Sequence, residues 1–379
     1  MKLFDHQQEF MDGLDTLGDP ARALLFYKTG AGKSRAALLG MKALGYNEVL
    51  VITPPSTYDS WVALAIELRM GVQCMSHAKF RMKDTKVSRT QAVIADEFHL
   101  FGGHKGAGWK KLDTLARHLQ APLFLLSATP NYNDIERCYC ATHILSPQDA
   151  HGGYLQFLYT HCLTEQNPFG MEPIVTGFKN FKDAAEFLAA QPKVFHLPDD
   201  AVYTITDVPY KVTVPAEFTT LSYNARRHRI MASQMEQRHT LKLHGLVNEG
   251  GLVHLPVLGL VNGLIDQSGP TLIFSNSSRI AGAFADSMVG DPQLVTGLTP
   301  EKRKAEIIEA FRRGEVGTLI GTATLATGTD GLDKVCNTLI IVDDTDDDAL
   351  RRQLIGRILP RGDSTSTTAK QIFRLKPLF

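Results

Sequence analysis

The sequence predicts an α/β protein built as two doubly wound parallel-sheet lobes, and three observations carry that expectation. Short apolar runs alternate with helix-patterned stretches from Leu24 to about Leu145. The same rhythm returns after Pro270. A glycine-rich loop stands between the first strand of the series and the helix that follows it.

In the first half, Leu24–Tyr27, Val49–Ile52, Ala92–Ala95 and Leu123–Leu126 read as strands covered on both faces, because they are apolar without alternation. Ser34–Leu44, Ser60–Met70 and Trp109–Leu119 carry helical spacing between them. After Pro270, strands are expected at Thr271–Phe274, Thr318–Ile320 and Leu339–Val342, and helices at Ser278–Met288, Pro300–Arg312 and Asp347–Arg357. Ala369–Leu375 is a candidate last strand. Between the halves, Pro, Gly and aromatic residues interrupt the pattern to about Pro215, and a helix-prone stretch runs from Glu217 toward His244. The expected division is therefore a first lobe over 1–146, a connector with helical elaboration packed on the second lobe over 147–266, and a second lobe over 267–379.

At 379 residues with 44% hydrophobic and 21% charged residues, the chain has the composition of a globular protein of two or three domains. No apolar run approaches the roughly 20 residues of a membrane helix, and Met1–Gln8 lacks a signal-peptide layout, so a cytoplasmic protein is expected. The five cysteines, Cys74, Cys138, Cys140, Cys162 and Cys336, form no Cys-x-x-Cys pair, which argues against a zinc site or a disulfide framework. Lys+Arg equals Asp+Glu at 40 each, so net charge does not point to nucleic acid. Sequence-independent binding needs positive charge on one face. Local basic clusters occur at Lys110-Lys111, Arg226 to Arg229, Arg312-Arg313 and Arg351-Arg352, and solvated surface is the ordinary reading of each.

The chemistry starts at Thr29-Gly30-Ala31-Gly32-Lys33-Ser34. Glycines let backbone N–H groups close around phosphates, and a helix N-terminus adds partial positive charge. Lys33 is expected to reach the β- and γ-phosphates of ATP, and the Ser34 hydroxyl to ligate Mg²⁺. The full pattern has glycine where Tyr27 stands, so only the short Gly-x-Gly-Lys-Ser form is present, which chance supplies in on the order of one in a hundred chains of this length.

A second feature, Asp96-Glu97-Phe98-His99, follows the strand Ala92–Ala95 and puts two carboxylates at its C-terminal tip, where ligands bind in open α/β sheets. Asp96 is expected to hold Mg²⁺, and Glu97 to orient and deprotonate the attacking water. Alone, such a pair is usually a helix cap; beside a phosphate loop the catalytic reading gains weight. A third strand runs into Ser127-Ala128-Thr129-Pro130, whose hydroxyls suit bridging between the carboxylates and a moving neighbour. In the second half, Gly321-Thr322-Ala323-Thr324 and Thr327-Gly328-Thr329-Asp330-Gly331 follow a strand, and Gln353-Leu354-Ile355-Gly356-Arg357 sits on a helix opening in the acidic run from Asp343 to Asp348. Arg357 has the character of an arginine finger, worth roughly a thousandfold in rate.

The order of these motifs resembles that of superfamily 2 helicases over nearly the whole chain, from Phe4 to Gly362. Phe4-Asp5-His6-Gln7 resembles the Q motif, with Gln7 in the adenine-reading position. Thr29 to Ser34 resembles motif I, Thr53-Pro54-Pro55 motif Ia, Asp96 to His99 motif II, Ser127-Ala128-Thr129 motif III, Thr322 to Asp330 motif V, and Gln353 to Arg357 motif VI. Within the superfamily the chain is most similar to Swi/Snf-type ATPases. Ala128 to Asn133, Gly177-Phe178-Lys179-Asn180 with the helix after it (a stretch of annealing helicases), and Leu272 to Ser275 as motif IV carry that likeness. Two departures stand out: Pro360 occupies the place of the second motif VI arginine, with Arg361 one step later, and the tryptophan that often precedes motif VI is missing.

The resemblance implies two RecA-like lobes, ATP and Mg²⁺ as cofactors, and a catalytic site formed where the lobes meet, using Lys33, Asp96, Glu97 and Arg357. Gln7, Thr29, Gly30, Ala31, Gly32, Ser34, Asp330 and Arg361 are the other implied nucleotide contacts. It further implies nucleic-acid contacts from Thr53, Pro54, Ser275, Thr296, Gly297 and Thr322, and coupling through Ser127, Thr129 and Gln353. The expected activity is DNA-dependent ATP hydrolysis driving translocation, with strand annealing or fork regression as its form, in the cytoplasm of a bacterium or of a virus-infected host. An RNA helicase and a low-turnover nucleotide-dependent binding switch are the alternatives.

Overall fold

The computed structural model of the chain describes residues 3–128, 135–147, 153–167, 170, 172–198, 203–211, 245–248, 250–265, 269–326, 331–345, 348–359 and 370–378. The expected helix from Glu217 toward His244, the basic cluster Arg226 to Arg229, and Thr129, Asp330 and Arg361 lie outside these residues. The chain divides into two compact units, Met1–Asp200 and Ala201–Phe379.

The first unit runs α1 (Asp5–Asp12), β1 (Arg22–Tyr27), α2 (Lys33–Ala43), β2 (Glu48–Ile52), α3 (Tyr58–Leu68), β3 (Gly71–Met75), α4 (His77–Arg81), β4 (Ala92–Ala95), α5 (Ala107–His118) and β5 (Leu123–Ser127). It continues through α6 (Ile135–Leu145), α7 (Tyr154–His161), β6 (Cys162–Glu165), β7 (Ile174–Phe178), α8 (Ala184–Ala189) and β8 (Val194–Leu197). Its main sheet has the order β3-β2-β4-β5-β1-β8, with every pair parallel; β6 and β7 form a separate antiparallel ribbon. Two apolar clusters cover the two faces of the sheet, one holding Leu24, Phe26, Val93 and Leu125, the other Leu25, Tyr27, Ile94 and Leu126. Alternation of side chains along each strand puts neighbours on opposite faces, so a strand buried on both must be apolar throughout.

This unit extends further than the expected boundary at residue 146. The described residues of 153–198 fall in it, where the sequence predicts a connector packed on the second lobe. Phe157 and Phe187 join its core, and β8 adds to the sheet through Leu24↔Val194 and Tyr27↔Leu197. The apolar payload of these aromatics, with ring centroids 5.6 Å apart edge to face, explains the attachment.

The second unit comprises β9 (Ile205–Lys211), α9 (Leu255–Leu264), β10 (Thr271–Ser275), α10 (Ser278–Ser287), β11 (Gln293–Val295), α11 (Glu301–Arg312), β12 (Thr318–Gly321), β13 (Thr338–Asp343), α12 (Asp348–Gly356) and β14 (Gln371–Leu378). Its sheet has the order β11-β12-β10-β13-β14-β9, again all parallel. Two RecA-like parallel-sheet lobes are thus present, as the sequence predicts. Cys138, Cys140, Cys162 and Cys336 are buried, Cys74 is half-buried, and all five are free thiols. No helix among the described residues is long and apolar enough to cross a membrane.

Candidate functional site

Strand order sets the site of the first lobe. Because β1 lies beside β5 and β5 beside β4, the three loops that follow these strands emerge side by side at the C-terminal edge of the sheet. They are the glycine loop, the Asp96-Glu97 pair and the Ser127 segment. Phe26 pairs with Ser127 and Ala95 with Leu125, which fixes the relative height of the three tips.

The glycine loop turns through left-handed backbone at Gly30 (φ 78°) and Gly32 (φ 75°), and Gly32 is the N-cap of α2. That conformation costs a residue with a Cβ about 1–2 kcal/mol. A second constraint applies at Gly32: a Cβ there would collide with the side-chain amide of Gln7. Gln7 is buried beneath the loop and donates Nε2–H to the carbonyls of Ala31 (3.4 Å) and Gly32 (3.3 Å), while its Oε1 accepts from the N–H of Phe4 (3.1 Å). His6 Nε2 donates to Ala31 O at 2.8 Å; the carbonyl can only accept, which fixes the tautomer. Lys33 folds back on the loop, donating to the carbonyls of Tyr27 (3.1 Å) and Lys28 (3.3 Å). Thr29 and Ala31 lie within the same loop, and Ser34 sits in the first turn of α2, where unpaired N–H groups and the helix dipole favour an anion.

Asp96 is buried at the tip of β4 and its carboxylate is held on both oxygens. Oδ2 accepts from Thr53 Oγ1 (2.7 Å) and Trp61 Nε1 (3.4 Å), and Oδ1 accepts from Glu97 N (2.9 Å). With the Thr53 proton on Asp96, Thr57 has one proton to give, to Thr53 Oγ1 at 2.6 Å or to Pro54 O at 2.8 Å. The backbone carbonyl of Asp96 accepts from His77 Nε2 at 2.9 Å, and burial lowers the pKa of that imidazole. Burial first, and then the charge of Glu97, raise the Asp96 carboxyl above its ordinary range, against the opposing pull of Thr53 and Lys33. Glu97 occupies left-handed backbone (φ 46°), the kind of strained position found where a side chain must be aimed, and its Oε2 lies 3.4 Å from His99 Nδ1.

Not every expected residue lies where the motifs suggest. Thr53 is wholly buried and its hydroxyl is committed to Asp96. Ser275 is also buried, closing a turn with Ser277 through bonds of 2.9 and 3.1 Å. Thr322 is buried beside β11, its N–H donating to Val295 O at 3.3 Å. The structure brings none of these three hydroxyls to the surface. Pro54 and Thr296 are half-buried, and Gly297 is exposed. Thr296 organises its turn, accepting from Leu298 N at 3.2 Å while its own N–H donates to Thr299 Oγ1 at 3.0 Å. Ser127 is buried, and its Oγ has no hydrogen-bond partner among the described residues. Gln353 and Arg357 are both buried. Arg357 follows α12 directly, and its Nε donates to Ala326 O at 2.8 Å. Sequence reasoning missed Thr57, Trp61 and His77, whose spacing at i+4 and i+8 from Thr53 and placement just after β3 were the available signals.

Residues 256–361 match the family model of the helicase conserved C-terminal domain. Over these residues the second lobe is similar to helicase C-terminal domains. The matched residues include the segments read from the sequence as motifs IV, V and VI, so the match agrees with that reading over the second lobe. Solved structures similar to this chain include the Sulfolobus solfataricus SWI2/SNF2 ATPase core in complex with dsDNA, at 14% identity over 100% of this chain and 88% of that one, with a TM-score of 0.43. Another is the Pyrococcus furiosus Hef helicase domain, at 13% identity over 98% of this chain and 95% of that one, with a TM-score of 0.46. No curated protein sequence matches the chain.

Proposed function

We propose that this helicase-type chain is an ATP-hydrolysing DNA translocase of the Swi/Snf kind, with strand annealing or fork regression as the form its movement takes. The observation that carries the reading is the convergence, at adjacent strand tips of one lobe, of a glycine loop opening a helix and a buried Asp96 beside Glu97. Two consecutive carboxylates, one of them raised by burial and then by its neighbour, form a donor set that a divalent cation relieves, so the residues fit Mg²⁺. Ser34 and Asp96 would hold it, and there it would neutralise phosphate charge.

Lys33 gives up its two loop carbonyls to take a phosphate, exchanging neutral acceptors for a charged one. Glu97, aimed by its left-handed backbone, orients and deprotonates the attacking water. Gln7 reads adenine, and its grip on the Ala31 and Gly32 carbonyls ties that recognition to the shape of the loop. Arg357 of the second lobe takes the arginine-finger role of its motif, while Asp330 and Arg361 are further nucleotide contacts. Ser127, Thr129 and Gln353 are the coupling residues. Pro54, Thr296 and Gly297 touch the nucleic-acid backbone, and Thr53, Ser275 and Thr322 support those contacts from beneath the surface. DNA is favoured over RNA by the Swi/Snf-like segments at Gly177 to Asn180 and Leu272 to Ser275.

The test is ATP turnover of wild type, Lys33→Ala, Glu97→Gln and Arg357→Ala with duplex DNA, forked DNA and RNA. Stimulation by DNA, lost in all three variants with ATP binding retained by Glu97→Gln, is expected. Normal turnover by Lys33→Ala sinks the reading; stimulation by RNA alone makes the chain an RNA helicase; tight ATP binding with negligible turnover makes it a switch.

A further inference from the structure

We propose that the first lobe carries a second nucleic-acid contact, a basic strip formed by α4, the loop that follows it and the outer face of α5, which grips the phosphate backbone of duplex DNA. The proposal rests on the DNA-translocase reading and adds a surface that none of its motifs includes.

The charge asymmetry is local. The chain as a whole is neutral, yet residues 77–91 hold Lys79, Arg81, Lys83, Lys86 and Arg89 against Asp84 alone. All five cations are exposed, as is Lys110 on the adjoining α5. Among the described residues, none of the six side chains forms an ion pair. Elsewhere among the described residues, basic side chains are paired: Arg312 and Arg313 with Glu309 and Glu315, and Arg351 with Asp344. Five cations with one acid repel one another unless a polyanion or salt screens them, so the strip is a surface held ready for charge that the protein does not supply.

The strip is also built rather than loose. Lys111 reaches across from α5 and donates to the carbonyls of Met82 (2.5 Å) and Thr85 (2.8 Å), its ammonium lying over the Phe80 ring at 5.3 Å. Thr85 Oγ1 donates to Lys79 O (2.7 Å), Arg81 to Leu100 O (2.6 Å), and Gln120 N to Arg89 O (2.7 Å). Phe80 anchors α4 in the core. Backbone carbonyls are thus sewn inward by one lysine and two turns, leaving the remaining charges outward along a line from the tip of β3 to the start of β4. A fixed row of cations suits a regular row of phosphates, because little side-chain and loop ordering remains at binding. The strip also borders the nucleotide site: α4 opens at His77, whose ring holds the Asp96 carbonyl.

The experiment measures binding of a fluorescein-labelled DNA duplex, and of an RNA duplex of equal length, to wild type and to Lys83→Gln/Lys86→Gln/Arg89→Gln as salt is varied. Unstimulated ATP turnover and circular dichroism are recorded for both proteins. The expected result is DNA binding weakened about tenfold or more at low salt, with the slope of log affinity against log salt reduced by about 2 to 3, since each phosphate contact on duplex DNA contributes about 0.9. Unstimulated turnover stays at the wild-type level. Equal affinity and slope for the two proteins toward DNA overturns the strip while leaving the translocase reading intact. A loss confined to RNA overturns the commitment to DNA. Wild type that neither binds DNA nor is stimulated by it overturns both.

Discussion

Thr53 Oγ1 donates to Asp96 Oδ2 at 2.7 Å, so the loop after β2 and the acid after β4 are one hydrogen-bonded unit. Thr57 lies 2.6 Å from the Thr53 hydroxyl, and Trp61, in α3, adds a second donor to the same Asp96 oxygen. Thr53 therefore positions the acid proposed above to hold Mg²⁺. Thr53→Val, which keeps the volume and deletes the donor, is expected to lower kcat about 10- to 100-fold, the usual effect of removing the group that orients a ligand. Thr53→Ser restores activity, and Trp61→Phe has the smaller effect because its bond is long. Normal turnover with weakened DNA binding in Thr53→Val would instead make Thr53 a nucleic-acid residue.

Gln7 and Gly32 occupy each other's space, which makes their substitutions interdependent. Gly32→Ala meets both the left-handed backbone and the Gln7 amide, so ATP binding and stability both fall, the latter by about 1–2 kcal/mol from backbone strain alone. Gln7→Ala raises KM for ATP and narrows the preference for ATP over GTP. The double variant regains part of the loss of Gly32→Ala, since the collision is gone and only the φ cost remains. Isothermal titration with the two nucleotides checks this; strictly additive losses would show that the two residues do not share a site.

Asp96 makes nucleotide-free stability depend on pH in an unusual direction. Its folded-state pKa is raised, by burial first and then by Glu97, so the folded chain binds this proton more tightly than the unfolded chain does. The stabilising contribution is present at low pH and is lost as pH rises from the ordinary aspartate value through the raised one. The Tm of Asp96→Asn relative to wild type is therefore expected to climb as pH rises above the ordinary aspartate value of about 4, while ATP turnover is abolished. Differential scanning calorimetry over that range decides it: a flat difference means that Asp96 ionises without penalty.

The sequence made the strands near the site legible for a physical reason. β1, β4 and β5 are buried on both faces and so, apart from Arg22 at the start of β1, run apolar up to their functional tips. The edge strands were not: β3 (Gly71–Met75) is only partly buried and includes an exposed Gln73, and β11 (Gln293–Val295) is three residues long, so neither leaves an apolar run. The reach of the first lobe to Asp200 was hidden because Phe157, Phe187 and β8 pack through contacts with residues more than a hundred positions earlier or scattered along the chain. The direction of a hydroxyl is likewise not a property of spacing. Thr53-Pro54-Pro55 identifies a strand tip, but that Thr53 turns inward to Asp96 follows from β2 and β4 being neighbours. The inward turns of Ser275 and Thr322 have the same origin in pairing, with β13 and β11 respectively.

Arg22 supplies a test of stability separated from catalysis, because it begins the strand whose far end leads into the phosphate loop. Its guanidinium is buried and donates to the carbonyls of Ala121 (2.8 Å), Ala116 and Leu119 (3.1 Å each) and Ala21 (3.3 Å). Ala116 lies in the last turn of α5 and Leu119 is its C-cap, so Arg22 satisfies end carbonyls of that helix and complements its dipole. Burial pulls the guanidinium down to about 10, a measure of how poorly the site solvates a charge. Arg22→Met keeps most of the volume, relieves that desolvation and orphans the carbonyls, and these opposing effects leave a net loss of about 2 kcal/mol. The melting temperature should fall while kcat and KM for ATP, measured well below it, hold at wild-type values, since Arg22 and Tyr27 stand at opposite ends of the six-residue β1 and the loop lies beyond Tyr27. A changed KM at low temperature would show that the two ends of β1 are coupled and that the strand is not the rigid strut its burial implies.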